Sequence, residues 1–117
     1  MATIFTDGHL DGLNGIGGVF ADSGYSLIQI KGKTITKTYQ KKSLTNNEAE
    51  LLAIFHACDL AKKNDIICSD SQVALTISRT GKSSTDRFQL IAIAIKHIID
   101  KKKLTLQWVP RENNPVT

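Results

Sequence analysis

An α/β fold is what the pattern of this chain predicts: a central five-stranded mixed sheet flanked by helices, in the order β-β-β-α-β-α-α-β. Three observations carry the prediction. Strand-like runs with alternating polarity fill residues 2–39, helical periodicity takes over at Asn47, and short apolar runs then alternate with helical stretches. A meander followed by strands joined through helices gives antiparallel pairing first and helix-bridged pairing afterwards. With 117 residues the chain forms one domain, 1–117, with a single modest core.

The elements follow in order. ATIFT is a strand that runs into Asp7-Gly8, and the glycines at 12, 15, 17 and 18 make a loose turn. GGVFAD is the second strand, Ser23-Gly24 a tight turn, and YSLIQIKGKTITKTY the third strand, bent or interrupted at Gly32. Threonines 34, 36 and 38 alternate with Ile35, Lys37 and Tyr39, as on a half-exposed edge whose lysines discourage pairing with other chains. A helix covers about 47–62, IICS is a short buried strand, and a second helix of about 71–79 is stopped by Gly81. The third helix, about 85–102, puts Phe88, Ile91, Ala92, Ile95, Ile98 and Ile99 on one face, with Leu90, Ile93 and Ala94 widening the apolar band. LTLQWV is the last strand.

Composition excludes several classes. Apolar residues are 41% and charged residues 22%, as in ordinary globular chains, and the longest apolar run, Leu90 to Ile95, is far short of the roughly 20 residues of a membrane span. MATIFTDG lacks the basic and long apolar segments of a secretory signal, so a cytoplasmic location and no membrane association are expected. Cys58 and Cys68 lie inside apolar segments without a CxxC or a histidine at zinc spacing, and read as buried free thiols. The net charge of +4 suits a polyanion partner but is weak on its own, since lysine clusters such as 31–42 and 96–103 are commonly solvated faces.

The chemistry resides in the acids. In TNNEAELLA, residues 45–53, Thr45 followed three positions later by Glu48 fits a capping box, which makes Glu48 structural. Glu50 shares helical spacing with Ile54, Ala57 and Ala61, so its carboxylate turns toward the core side. Two readings of Glu50 stand: a partly wet acid favoured by the helix dipole, or a buried charge in need of a cation or metal. Asp7 and Asp70 tip the balance, because both end strands, and strand ends linked by helical crossovers converge on one sheet edge. Asp70 in SDSQ also fits a helix cap. Three carboxylates together repel unless hard cations neutralise them, and an all-oxygen set selects Mg²⁺ or Mn²⁺.

TDG at 6–8, TNNEAEL at 45–51, SDSQ at 69–72 and WVPREN at 108–113 together resemble, in order and spacing, ribonuclease H of type 1. The resemblance implies a ribonuclease H-like fold and a metal-dependent endoribonuclease that hydrolyses the RNA strand of an RNA/DNA hybrid with two Mg²⁺ ions, or Mn²⁺. It places Asp7, Glu50 and Asp70 as metal ligands and catalytic acids, with Asp7 bridging the ions. Asn14, Thr45, Asn46, Asn47 and Gln72 match positions that bind substrate, through 2′-hydroxyls or phosphates. The family's fourth acid would fall one residue beyond Thr117, at the start of its last helix; either the chain is cut short there, or the protein lacks both and an amide such as Asn113 or Asn114 substitutes in part, with weakened metal binding or turnover as the expected result. Asn114 is therefore counted with the catalytic residues.

The family's basic, tryptophan-containing insertion is absent between Arg79 and Arg87. Lys82, Ser83, Ser84 and the lysines of 31–42 are left to contact phosphates more weakly, in a salt-sensitive manner. His9 lies near the site but reads as a partly exposed turn residue. The alternative function is a binding module that recognises hybrid or duplex without cutting, or a truncated enzyme lacking its fourth metal ligand. A monomer is expected, with a dimer through the apolar Leu90–Ile95 face as the alternative.

Overall fold

The computed structural model describes residues 1–11 and 21–117. Its elements are β1 (Thr3–Leu10), β2 (Ala21–Ile30), β3 (Lys33–Leu44), α1 (Asn46–Leu60), β4 (Ile66–Ser69), α2 (Gln72–Thr80), α3 (Asp86–Lys102), β5 (Thr105–Trp108) and a final 3-10 turn (Arg111–Asn113). The five strands form one mixed sheet in the order β3-β2-β1-β4-β5. β1 pairs antiparallel with β2, and β2 with β3, whereas β4 runs parallel to β1 and to β5. The predicted α/β order and five-stranded mixed sheet are both present.

The meander differs in its strand boundaries. Ser23 and Gly24 lie inside β2, paired with Gln40 and Tyr39, and the reversal falls at Lys31-Gly32. Both turn residues have positive φ, 52° and 80°, the conformation that a two-residue hairpin of right-handed twist requires, and Gly32 adopts it without a Cβ penalty. Gly24 has another duty. A Cβ there would sit 2.5 Å from the carbonyl oxygen of His9, so its missing side chain lets β1 and β2 close on each other. The expected strand GGVFAD lies mostly outside the described residues, and its last two positions belong to β2.

α1 is the central helix, packed on β1 and β2 and against α2 and α3. Ala49, Ala53 and Ala57 keep it slim, and Leu51, Ile54 and Cys58 join Ile4, Ile28, Ile67, Leu75 and Ile95 in the core. Its C-terminal carbonyls would be orphaned, and Lys102 at the end of α3 satisfies them: its Nζ donates to Cys58 O, Asp59 O and Ala61 O at 2.8, 2.9 and 2.8 Å. α3 buries Phe88, Ala92 and Ile95 as predicted. Leu90 and Ile93 face outward instead, 82% and 52% exposed, so the apolar band is wider than the buried stripe. Cys58 and Cys68 are buried and free, and burial pushes the Cys58 thiol up to about 12. Among the described residues no helix is long and apolar enough to cross a membrane.

Candidate active site

β1 and β4 lie side by side and parallel, with Phe5 opposite Cys68, so Asp7 and Asp70 reach the same edge of the sheet. The first turns of α1 cross over that edge. Gly8 makes the crossing close: a Cβ on it would meet the carbonyl oxygen of Ala49 at 2.2 Å. This contact brings Glu50 down onto β1, where its Oε1 accepts from the Gly8 amide at 2.6 Å. One carboxylate oxygen from each of Asp7, Glu50 and Asp70 then lies within 4.8 Å of the others. Asp70 stays available because Ser71, not Asp70, caps α2, accepting from the Ala74 amide at 3.1 Å.

The electrostatics match three acids without a cation among them. Glu50 is 6% exposed, and burial, a hydrogen bond shared with Asp7 and the charges of Asp7 and Asp70 push its pKa up to about 9. Burial also raises Asp7, partly offset by its hydrogen bond with Glu50 and the nearby His9. A cluster that holds protons this tightly has the donor set a hard divalent ion would replace them on: three carboxylates, with no thiol in the cluster.

The cleft around the acids is lined by Gly8, His9, Asn46, Ser71, Arg111 and Thr117 as well as the three carboxylates. His9 is a strand residue rather than a turn residue. Its Nε2 lies 3.0 Å from Asp7 Oδ2, and its ring stacks on Tyr25 at 4.9 Å between centroids. Alternation along β1 puts residues 7 and 9 on one face, a signal that the sequence carried once the strand was extended past Gly8.

Other expected site residues fall in different places. Asn46 borders the acid cleft, whereas Asn47 and Gln72 line a neighbouring cavity of about 580 Å³ with Lys82, Ser83 and Ser84. Thr45 is the N-cap of α1, its hydroxyl accepting from the Glu48 amide at 3.3 Å. Asn14 lies outside the described residues. Asn114 uses its carboxamide on the backbone: Nδ2 donates to Thr6 O at 3.0 Å and Oδ1 accepts from the Val116 amide at 3.3 Å. From this segment Arg111 lines the acid cleft, and the Thr117 hydroxyl lies 3.3 Å from Asp70 Oδ2.

Glu48 completes only half of the expected capping box. Its carboxylate does not return to the Thr45 amide; it is fully buried between Lys41 and Arg87, with Arg87 Nε at 2.7 Å from Oε1. The Arg87 guanidinium also donates to Lys42 O, so one ion cluster ties β3, α1 and α3 together.

A five-stranded mixed sheet with three acids gathered where its parallel strands end defines a ribonuclease H-like domain. The RNase H family model matches residues 1–114, and the chain belongs to that family. Solved structures agree on the fold. RNase H1 from the halophilic archaeon Halobacterium salinarum is 16% identical with a TM-score of 0.75, covering 99% of this chain and 90% of that one. The N-terminal RNase H domain of a Mycobacterium tuberculosis protein, solved as a fusion with maltose binding protein, is 16% identical at a TM-score of 0.72, over 97% and 84%. LC11-RNase H1, solved in complex with an RNA/DNA hybrid, is 21% identical at 0.67, over 98% and 89%. No curated protein matches the chain.

Proposed function

We propose that this domain hydrolyses the RNA strand of RNA/DNA hybrids as a Mg²⁺- or Mn²⁺-dependent endoribonuclease. The observation that carries the reading is the meeting of Asp7, Glu50 and Asp70, oxygen atoms within 4.8 Å, at the edge of a ribonuclease H fold. These three carboxylates would hold two divalent ions, which supply the positive charge that an in-line displacement at a phosphodiester requires.

The chain's own residues have separable duties in this reading. The Gly8 amide holds one oxygen of Glu50, and His9 Nε2 stands 3.0 Å from one oxygen of Asp7. Asn46 stands beside the acids, where a side-chain amide can contact a sugar hydroxyl or phosphate of the strand to be cut. Asn47, Gln72, Lys82 and Ser83 line the adjoining cavity and continue the track for a nucleic-acid strand. Asn14 and Thr45 join the substrate contacts by their match to family positions. Asn114, counted with the catalytic residues by its match to the family, ties its segment to β1 through Thr6 and also accepts from the Val116 amide, while the Thr117 hydroxyl donates to Asp70. The domain acts as a monomer in the cytoplasm.

Cleavage of a labelled RNA/DNA hybrid in Mg²⁺ or Mn²⁺ tests the proposal, beside the Asp70→Asn variant and an RNA/RNA duplex. Cutting of the RNA strand in the hybrid alone, lost in the variant, is the expected result. Retained hybrid binding without any cutting would make the domain a binding module instead.

A further inference from the structure

The lysines of residues 31–42 do not act as one group. Lys41 and Lys42 belong to the Glu48–Arg87 cluster, whereas Lys31 in the β2–β3 turn and Lys33 just after it meet Lys62 and Lys63 around a separate cavity of about 580 Å³. That cavity lies at the far end of α1, beside Leu60, ten residues from Glu50 and so about 15 Å along the helix axis from the acids. None of these four lysines lines the acid cleft or the cavity beside it.

The cavity has an apolar floor and a basic rim. Ile30, Ile35 and Leu60 form the floor, partly buried against the core, and the 91% exposed Met1 stands at its mouth. Its single acid, Asp65, is 5% exposed and already occupied: its two oxygens accept from the Ala2 and Lys62 amides, each at 2.8 Å. Four exposed lysines thus face a pocket with no accessible acid of its own.

We propose that this cavity docks an acidic peptide segment of a partner protein, anchored by an apolar side chain. The floor supplies the burial that an anchor needs, and the lysines supply charge complementarity for flanking Asp and Glu residues. A nucleic-acid strand fits the chemistry less well, because no aromatic ring lines the cavity to stack a base. A bilayer surface fits less well than a single inserted side chain, because Ile30, Ile35 and Leu60 are partly buried while the lysines around them are exposed.

Fluorescence anisotropy with the whole domain tests this, using a short labelled peptide rich in Asp and Glu around a central Leu-Leu pair. Saturable micromolar binding is expected, weakened roughly tenfold or more by the double substitution Lys33→Glu/Lys63→Glu and by exchanging the Leu pair for Ser. Unchanged thermal melting of the double variant checks that it folds. Amide shifts in the unsubstituted domain, mapped by NMR, should gather at residues 30–35 and 60–65. Absence of binding, binding indifferent to either change, or shifts centred elsewhere overturns the proposal. So does preferential capture of anionic phospholipid vesicles or of an RNA/DNA hybrid through the same lysines.

Discussion

Glu48 and Glu50 sit two residues apart on the first turns of α1, both buried, in opposite electrical surroundings. Glu48 is enclosed by Lys41 and Arg87, cations from the two elements that flank it. Glu50 is enclosed by Asp7 and Asp70 and keeps a proton up to about pH 9. The difference teaches how one helix turn serves two ends. Where the chain supplies its own counter-charge, the carboxylate becomes a fastener; where it supplies more acids, the carboxylate is left without one and, in the function proposed above, would take it from an external cation.

The contrast breaks most visibly in activity. On the proposed function, Asp70→Asn and Glu50→Gln should each lower hybrid cleavage at least about a hundredfold by removing one of the three clustered carboxylates, whereas Glu48→Gln should retain most of its rate when assayed well below its melting point. Cleavage rates of the three variants, measured side by side, decide this. Stability should order them the other way. Glu48→Gln or Arg87→Ala costs about 1–3 kcal/mol, because a buried ion cluster loses one of its members. Glu50→Gln gains about 1–2 kcal/mol in metal-free buffer at pH 8, roughly 4–8 °C in Tm, since it removes an acid that folding buries beside other acids.

pH sharpens the same comparison. Glu50 titrates near 4.5 when unfolded and near 9 when folded, so the folded chain binds more protons between those values. Metal-free stability therefore falls as pH rises through that window. Denaturant titrations across pH 5–9 should show the decline in the parent and a flatter profile in Glu50→Gln, and added Mg²⁺ should stabilise the parent more at pH 8 than at pH 6. The smallest effect is expected at the far end of α1. Lys102→Met, which removes three hydrogen bonds to exposed or half-buried carbonyls, should cost about 1 kcal/mol in thermal melts and leave the rate alone.

Periodicity made the helices and the strand count legible: α2 and α3 pack one face against the core, while α1 is covered by the sheet and by α2 and α3. It misplaced the meander, because Ser23-Gly24 and Lys31-Gly32 look alike as turn dipeptides. Only pairing distinguishes a glycine that turns the chain from one that lets two strands approach. Among the acids, helical phase marked Glu50 as inward-facing and strand ends marked Asp7 and Asp70. Glu48 read as a cap because its partners, Lys41 and Arg87, come from 7 residues before and 39 residues after it, beyond any local pattern. Asn114 was matched by spacing, which cannot show that its amide is spent on Thr6, 108 residues away.

Gly8 sets a mechanical tolerance for the whole site. With the Ala49 carbonyl 2.2 Å from where a Cβ would be, any side chain at position 8 acts as a wedge under α1. The spacing of the acids is thus gauged by backbone against backbone, a harder stop than flexible side chains can give. An alanine there would detune the site without touching a single carboxylate.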